Sequence, residues 1–202
     1  MSDIQKKIFE ESRDLNVEVK DKNVVVIGGG DTAMDCVRTS LREKARSVKC
    51  LYRRDAHNMP GSKKEYLNAK EEGVDFEFHV SPKALVTNDN GDVIAIEMVK
   101  TKLGEADASG RQKVEEIPGT EYKIDADVVI FALGFDNVEY PFFSSNGIET
   151  DKWGRILVNE NYQTTQAGIY AGGDCHRGAD LVVTAVRDGR DAAKAMVKML
   201  AK

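Results

Sequence analysis

The chain has 202 residues, of which 41% are hydrophobic and 31% are charged, and its formal net charge is −5. This length suffices for one large domain or two small ones with a hydrophobic core, and the composition is that of an ordinary globular protein. The acidic excess argues against a nucleic-acid partner, because no surplus of cations is available to neutralise phosphates, and it gives no support to binding at a membrane surface.

No apolar run approaches the ~20 residues that a membrane-spanning helix needs, and the charged segment at residues 1–14 lacks the apolar core of a signal peptide. We therefore expect a cytoplasmic protein without a membrane partner. The cysteines form no Cys-x-x-Cys pair, and the histidines show no metal-binding spacing. The sequence thus predicts no dithiol centre and no metal site, and it predicts packing roles for Cys36, Cys50 and Cys175.

The first predicted elements are a strand, a glycine turn, a helix and a second strand. Residues 1–21 are polar and are expected to form a linker outside the core. The β-branched run at 23–27 is typical of a parallel strand that is buried on both faces. An amphipathic helix is predicted over residues 32–44, and a second strand over residues 47–52. This order is that of a βαβ unit, whose crossover is expected to be right-handed.

The middle of the chain changes character. Residues 62–72 predict an exposed helix, and residues 76–80 predict a third short strand that is stopped by Pro82. Between residues 84 and 124, alternating apolar positions and Asn-Gly and Ser-Gly turns predict an antiparallel meander laid on the parallel sheet. Residues 126–133 then predict a further buried strand.

A second unit is predicted to begin after Gly134. Residues 136–165 carry several turn signals and are expected to be irregular. Residues 168–171 predict a short strand that runs into a Gly-Gly-Asp turn, and residues 181–200 predict the final helix.

The turn after the first strand, Gly-Gly-Gly-Asp-Thr-Ala, matches the pattern Gly-x-Gly-x-x-(Gly/Ala) at every required position. With a strand before it and an amphipathic helix after it, this pattern is typical of a dinucleotide site in a Rossmann-like fold. Free N–H groups at the start of the helix attract the pyrophosphate. The predicted contacts are Gly28, Gly29, Gly30, Asp31, Thr32 and Ala33. The alternative is a turn of the same shape that binds nothing.

The residues that follow the second strand indicate which dinucleotide is bound. An NAD site usually has an acidic residue there to hold the ribose hydroxyls. This strand is followed instead by Arg53 and Arg54, whose guanidinium groups suit the 2′-phosphate of NADP, and no carboxylate precedes them. We therefore expect a preference for NADPH over NADH, with Asp55 as a turn residue. The alternative is that both arginines are solvated surface residues.

With these residues placed, the chain resembles the glutamate synthase small (beta) subunit. The stretches that carry the resemblance to its NADPH-binding part are VVVIGGGDTAMDCVRT (24–39), CLYRRD (50–55), NMPGS (58–62) and AKEEGV (69–74). Residues 169–174 and 177–193 are similar to its flavin-binding carboxyl-terminal segment. The resemblance extends over about residues 20–200.

The resemblance implies that NADPH passes hydride to FAD and that electrons continue through iron–sulfur clusters to a large subunit that makes glutamate. It implies that Gly134 closes over the NADPH and that Gly173 and Asp174 hold the ribityl-phosphate region of FAD. It further implies that the helix start at Leu181 and Val182 faces the flavin ring, where a positive helix end stabilises the reduced form.

The family's amino-terminal half carries cluster-ligating cysteines and a first glycine motif for FAD, and this sequence has neither. We therefore expect a Rossmann-like α/β domain with a three-layer parallel sheet and an antiparallel meander over residues 22–134. Residues 135–202 are expected to be an incomplete FAD-binding unit. The expected partners are the glutamate synthase large subunit and the absent iron–sulfur and FAD half, and we expect no tight FAD binding by this chain alone.

Three other interpretations remain open at this stage. A thioredoxin-reductase-like NADPH domain shares the arginine pair, but its Cys-x-x-Cys is absent. A domain from a dihydropyrimidine-dehydrogenase-like enzyme shares the flavin and cluster layout. A standalone NADP-binding module without catalysis also agrees with the sequence, because no acid–base or nucleophile set is present, although hydride transfer requires none. For the Gly-Gly-Asp turn, the alternative is a simple turn before the final helix.

Overall fold

The computed structural model describes residues 18–106 and 112–201, and the chain divides into two compact units with the boundary in sequence between Leu133 and Gly134. Most of the predicted linker, residues 1–17, lies outside the described residues. The end of that segment is not solvated, because Val19 is buried with the core residues of the amino-terminal unit.

The amino-terminal unit contains most of the regular structure. Its strands are β1 (Asn23–Ile27), β2 (Ser47–Tyr52), β3 (Asp75–Phe78), β4 (Val80–Thr87), β5 (Val93–Ala106), β6 (Gln112–Glu116), β7 (Tyr122–Asp125) and β8 (Val128–Phe131). Its helices are α1 (Asp31–Arg42) and α2 (Lys63–Glu71), with a 3₁₀ turn over Ala56–Asn58. Strands β3, β2, β1 and β8 form a parallel sheet in that order, and β5 pairs antiparallel with β4, β6 and β7.

The predicted three-layer arrangement is confirmed. Successive side chains of a strand point to opposite faces, so Val24 and Val26 of β1 pack with Met34 of α1 in one core. Val25, from the same strand, packs in a second core with Ile96 of the antiparallel sheet. Helices, parallel sheet and antiparallel sheet are thus stacked in this order, and the apolar run of β1 is explained by burial on both of its faces.

Three details of the predicted strands are wrong. The strand predicted over residues 76–80 ends at Phe78, because His79 adopts a φ of 58° and redirects the chain into β4. Pro82 does not stop that strand, since it lies at a register shift between β4 and β5, where a proline is tolerated. The strand predicted as buried over residues 126–133 is only partly buried, because β8 lies at the edge of the parallel sheet, and Leu133 is 70% exposed.

The carboxyl-terminal unit contains the helices α3 (Pro141–Ser145), α4 (Asp174–Arg177) and α5 (Val182–Leu200). The first helix lies in a region that was predicted to be irregular, and it begins at a proline, whose fixed φ suits a first helical position. The strand predicted over residues 168–171 is reduced to a single bridge between Gln163 and Tyr170. The predicted final helix is confirmed to within one residue. Within the described residues, no helix combines the length and the apolar character needed to cross a bilayer.

Candidate functional site

The first glycine of the turn between β1 and α1 is required by its surroundings. Gly28 has a φ of 149°, which side-chain-bearing residues rarely adopt. A Cβ atom at this position would lie 2.3 Å from the carbonyl oxygen of Ala132, and one at Gly29 would lie 2.7 Å from the ring of Tyr52. The amide of Gly28 donates to the carbonyl of Leu51 at 3.0 Å. The turn therefore passes closely between the ends of its two neighbouring strands.

Helix α1 begins with an uncapped amino end. Gly30 is its N-cap residue, and no side chain accepts a hydrogen bond from the first turn. Gly30 accepts hydrogen bonds from the amides of Ala33 and Met34 at 3.0 and 3.2 Å, whereas the amides of Asp31 and Thr32 have no acceptor among the residues that the structure describes. A Cβ atom at Gly30 would have no neighbour within 4 Å. Open space next to free N–H groups with a partial positive charge is suited to a phosphate.

A loop that follows the 3₁₀ turn packs against the glycine turn. The amide of Gly61 donates to the carbonyl of Gly29 at 3.0 Å, and the amide of Ser62 donates to Oδ1 of Asp31 at 2.7 Å. The hydroxyl of Tyr52 donates to the carbonyl of Asn58 at 2.8 Å. Asp31, which the sequence predicts as a cofactor contact, therefore has its carboxylate engaged in holding this loop. Sequence reasoning missed the loop itself, although it noted the Asn-Met-Pro-Gly-Ser stretch.

The two arginines after β2 are placed differently from each other. Arg53 is exposed, and within the described part of the chain its guanidinium has no hydrogen-bond or ion-pair partner. Arg54 is half-buried, and its Nη2 donates to the carbonyl of Gln112 on β6 at 3.0 Å, while its buried Nε has no partner among the described residues. The pair therefore does not form a symmetrical fork, since only Arg53 is fully open to solvent.

Asp55 ends this short segment as a turn residue, as the sequence indicated. Its Oδ1 accepts hydrogen bonds from the backbone and side-chain nitrogens of Asn58 at 2.9 and 3.0 Å. The hydrogen bond from the backbone of Asn58 is the main reason why the pKa of this carboxyl group is lowered. Asp55 is thus occupied in capping the 3₁₀ turn.

In the carboxyl-terminal unit, the Gly-Gly-Asp turn is organised by a buried carboxylate that sequence reasoning missed. Asp188 of α5 is 0% exposed, and it accepts hydrogen bonds from the amide of Gly173, from the guanidinium of Arg177 and from the hydroxyl of Tyr162. The Arg177 contacts measure 2.5 and 2.7 Å, and they hold the pKa of Asp188 well below its usual range. Gly173 itself has a φ of 70°. The sequence signal for this residue was its spacing, because Asp188 lies three residues after Ala185 and four before Ala192. All three residues therefore share one face of the helix.

The remaining predicted residues of this unit are solvent-exposed. Asp174 begins the short helix α4, and Gly134 has a φ of 88° with no contact around its missing Cβ. Leu181 is the N-cap residue of α5, and its amide donates to Oδ1 of Asp180 at 2.7 Å. Leu181 is 65% exposed, and Val182 is 79% exposed. Among the described residues, the amides of Val182 and Val183 have no acceptor, so this helix end is also open.

The cysteines divide into two kinds. Cys36 and Cys50 are buried, and burial raises the pKa of the Cys50 thiol to about 12. Cys175 is exposed next to Asp174, and its thiol donates to the carbonyl of Gly172 at 3.2 Å. The predicted packing role therefore holds for the two cysteines of the amino-terminal unit and is wrong for Cys175, because the start of α4 exposes this side chain to solvent.

Comparison with known proteins places this geometry in context. A family profile described as "Pyridine nucleotide-disulphide oxidoreductase" matches residues 2–189. The chain is 54% identical over 182 residues to the putative oxidoreductase AegA of Escherichia coli. This alignment covers 88% of this chain and 28% of that protein. It is 48% identical over 197 residues to the glutamate synthase [NADPH] small chain of Escherichia coli, in an alignment that covers 95% of this chain and 42% of that protein.

The chain spans less than half the length of these two curated relatives. Among solved structures, it is similar to thioredoxin reductase from Lactococcus lactis, with a TM-score of 0.72 and 24% sequence identity over 90% of this chain and 54% of that one. At this level of identity the likeness concerns the fold. It agrees with a parallel sheet that carries a helical layer on one face and an antiparallel sheet on the other.

Proposed function

The chain belongs to the pyridine nucleotide-disulphide oxidoreductase family, and from this premise we propose that it is the NADPH-binding part of a larger flavin-dependent oxidoreductase of the glutamate synthase small-subunit type. In this proposal residues 22–134 bind NADP(H), and residues 135–202 supply the carboxyl-terminal part of an FAD-binding domain. The activity belongs to the complete protein, in the cytoplasm, and this chain alone has little turnover.

The single observation that carries the proposal is the open amino end of α1 beside the exposed Arg53. The free amides of Asp31 and Thr32 and the open space at Gly30 fit a pyrophosphate. Strand β2 lies next to β1 and runs parallel to it, so Arg53 and the glycine turn both follow the carboxyl ends of these strands. The exposed guanidinium of Arg53 is therefore available there for the 2′-phosphate. We propose that the cofactor contacts are Gly28, Gly29, Gly30, Thr32, Ala33 and Arg53, with Asp31 and Arg54 as supporting residues.

The second unit supports the flavin part of the proposal. Asp188 and Arg177 fix the Gly-Gly-Asp turn, which leaves the Asp174 carboxylate exposed to accept hydrogen bonds from the hydroxyl groups of a polyol chain. The free amides at the start of α5 would donate hydrogen bonds to the electron-rich edge of a flavin ring. FAD, when bound, supplies the acceptor for the hydride of NADPH. Gly134 is proposed to close over the nicotinamide cofactor.

The proposed partners follow from the relatives. The glutamate synthase small chain is the protein that this chain resembles at 48% identity. We therefore propose an iron–sulfur and FAD-binding half as the first partner and a glutamate synthase large subunit as the second. The 54% identity to AegA favours a second candidate, in which the same NADPH and flavin unit serves a different electron acceptor. Glutamate formation by the complete protein with a large subunit distinguishes the two.

The test of cofactor binding is calorimetric titration with NADPH and NADH. Wild-type protein is expected to prefer NADPH. Arg53→Ala is expected to raise the Kd of NADPH about thirtyfold and to leave the Kd of NADH nearly unchanged, because a charge-assisted contact to the 2′-phosphate is lost. Arg46→Ala is the matched control, since Arg46 is also exposed but precedes β2 and so lies at the amino ends of the parallel strands, away from the proposed site.

Equal Kd values of the wild-type protein for the two nucleotides would overturn the assignment. An equal loss of NADPH affinity in Arg46→Ala would show that the effect is one of net charge and not of site geometry. Oxidation of NADPH with an artificial dye, with and without added FAD, separates an enzyme fragment from a binding module. Turnover that depends on added FAD favours the flavin-dependent enzyme.

A further inference from the structure

The backbone of the two arginines after β2 is held by the antiparallel sheet. The hydroxyl of Thr101, on β5, donates to the carbonyl oxygen of Arg53 at 2.9 Å. The amide of Thr101 donates to the carbonyl of His79 at 2.7 Å, and the amide of His79 donates to the carbonyl of Arg54 at 3.1 Å. Three hydrogen bonds therefore join the arginine segment, the β3–β4 junction and β5.

This junction is held in an uncommon conformation. His79 has a φ of 58°, which costs about 1 kcal/mol or more for a residue with a side chain. Its amide and its carbonyl are both used in the hydrogen bonds just described, so the surrounding contacts maintain the conformation. The backbone carbonyl oxygens of Arg53 and Arg54 both accept hydrogen bonds, from Thr101 and His79. These bonds fix the backbone and therefore set the directions in which the two arginine side chains leave it.

The hydroxyl of Thr101 is not needed for the strand. Thr101 is 4% exposed, and a valine in the same place would have the same shape and a comparable preference for β-structure. A buried hydroxyl is retained at little loss of stability only when it is hydrogen-bonded. Here its acceptor is the carbonyl of Arg53, the residue whose guanidinium is open to solvent.

Arg54 adds a second connection between the same elements. Its guanidinium donates to the carbonyl of Gln112 on β6, which pairs with β5. The side chain of Arg54 is therefore drawn toward the antiparallel sheet, whereas that of Arg53 remains exposed. The two neighbouring arginines therefore differ in role, because Arg54 is hydrogen-bonded to the antiparallel sheet and Arg53 presents its cation to solvent.

From this geometry we propose that Thr101 is a positioning residue for the discrimination between NADPH and NADH. It acts by fixing the peptide of Arg53, so that the direction in which this side chain leaves the backbone is set before the 2′-phosphate arrives. The inference rests on the proposed binding of NADPH by this unit. A backbone segment that is already held loses less conformational freedom when its side chain binds, and this advantage is given only to the nucleotide that carries the phosphate.

The test compares Thr101→Val with Thr101→Ser by calorimetric titration with NADPH and NADH. Thr101→Val keeps the shape and loses the hydrogen bond, so the Kd of NADPH is expected to rise about fivefold while that of NADH changes less than about twofold. Thr101→Ser keeps the hydroxyl and is expected to retain the wild-type ratio of the two Kd values. A purely structural role would weaken the binding of both nucleotides equally.

Thr120→Val is the matched control. Thr120 hydrogen-bonds in the same antiparallel layer, where its hydroxyl donates to the carbonyl of Ile117 and accepts from the amide of Lys100. Neither partner belongs to the arginine segment, so this variant is expected to leave the NADPH to NADH ratio unchanged. Thermal unfolding of the three variants shows whether any loss of affinity follows a loss of stability.

Introducing Thr101→Val into Arg53→Ala tests the mechanism, because a residue that acts through Arg53 has no further effect once that guanidinium is removed. A further fivefold loss in the double variant would overturn the proposal, as would a wild-type nucleotide ratio in Thr101→Val. If the wild-type protein itself shows no preference for NADPH, the proposed function fails instead, and the two failures are thereby distinguished.

Discussion

The two units of this chain are stabilised in different ways. The amino-terminal unit has two apolar cores, one on each face of its parallel sheet. In the carboxyl-terminal unit, the buried apolar residues among those described are Phe143, Ile148 and Ala192, and its central contact is the polar cluster around Asp188. Burial of apolar area dominates folding free energy, so the first unit has the larger independent source of stability.

The surfaces of the two units also differ in how many apolar side chains they expose. Most of the large exposed apolar side chains of the described residues belong to the carboxyl-terminal unit, including Phe135 at 93% and Val182 at 79% exposure. Contiguous exposed apolar surface commonly marks a place where another protein segment or partner packs. The comparison teaches that apolar burial is concentrated in the first unit and apolar exposure in the second, which is what we expect if the second unit is the incomplete FAD-binding unit proposed above.

The largest expected effect concerns the glycine turn of the amino-terminal unit. Gly28→Ala places a Cβ atom 2.3 Å from a backbone oxygen and strains the φ of 149°, so it is expected to lower the Tm of this unit by about 10 °C and to abolish NADPH binding. Circular dichroism and calorimetric titration measure the two effects.

Gly30→Ala is the matched variant, because its Cβ atom meets no neighbour and its φ of −89° is ordinary. It is expected to keep the wild-type Tm within about 2 °C and to weaken NADPH binding by about tenfold or more, since the methyl group fills space that the pyrophosphate requires. A stable Gly28→Ala protein, or a Gly30→Ala protein with full affinity, would contradict the division between these glycines.

A smaller effect is expected from Asp188→Asn in the carboxyl-terminal unit. This change removes the charge that pairs with Arg177, and the Tm reported by the single tryptophan, Trp153, is expected to fall by about 5 °C. Trp153 is a suitable reporter, because Arg155 lies over its ring at 4.5 Å and donates to the carbonyl of Arg177.

The NADPH affinity of Asp188→Asn is expected to stay within about twofold of wild type, since the proposed site lies in the other unit. Asp191→Asn is the control, because Asp191 pairs with Arg190 and Lys194 at the surface of the same helix and should change the Tm by about 1 °C or less. Equal effects of the two substitutions would show that burial of the carboxylate does not matter.

The smallest effect concerns a surface carboxylate of the amino-terminal unit. Hydrogen bonds from Arg38, and then from Arg42, lower the pKa of Glu72 to about 2 from the usual 4.5. A lowered pKa in the folded state means that Glu72 contributes stability above pH 4.5 and loses this contribution as the pH falls toward 2.

The Tm difference between wild type and Glu72→Gln is therefore expected to be about 2 °C at neutral pH and to shrink toward zero on acidification, measured by calorimetry in low salt. A difference that grows as the pH falls would contradict the assignment. The contrast with Asp188, whose pKa is lowered mainly by its hydrogen bonds from Arg177, compares a surface and a buried carboxylate in the two units.

Much of the amino-terminal unit could be predicted from its sequence, for local reasons. The run at 23–27 is uniformly β-branched, the glycine motif demands a tight turn, and the helix that follows has an apolar face. The helix over Val182–Leu200 was predicted on the same grounds, whereas the short helices Pro141–Ser145 and Asp174–Arg177 were not, since so few residues carry no periodic signal.

Local sequence patterns predicted only part of the candidate site. The sequence alone determined that a glycine turn joins a buried strand to a helix and that two arginines follow the next strand, because each depends on residues close together in the chain. Only the tertiary structure decided that Arg53 is exposed while Arg54 is anchored to Gln112, and that Thr101 holds the peptide between them. These hydrogen bonds join residues 58 and 48 positions apart in the sequence. Side-chain direction at such a separation depends on how the two sheets stack.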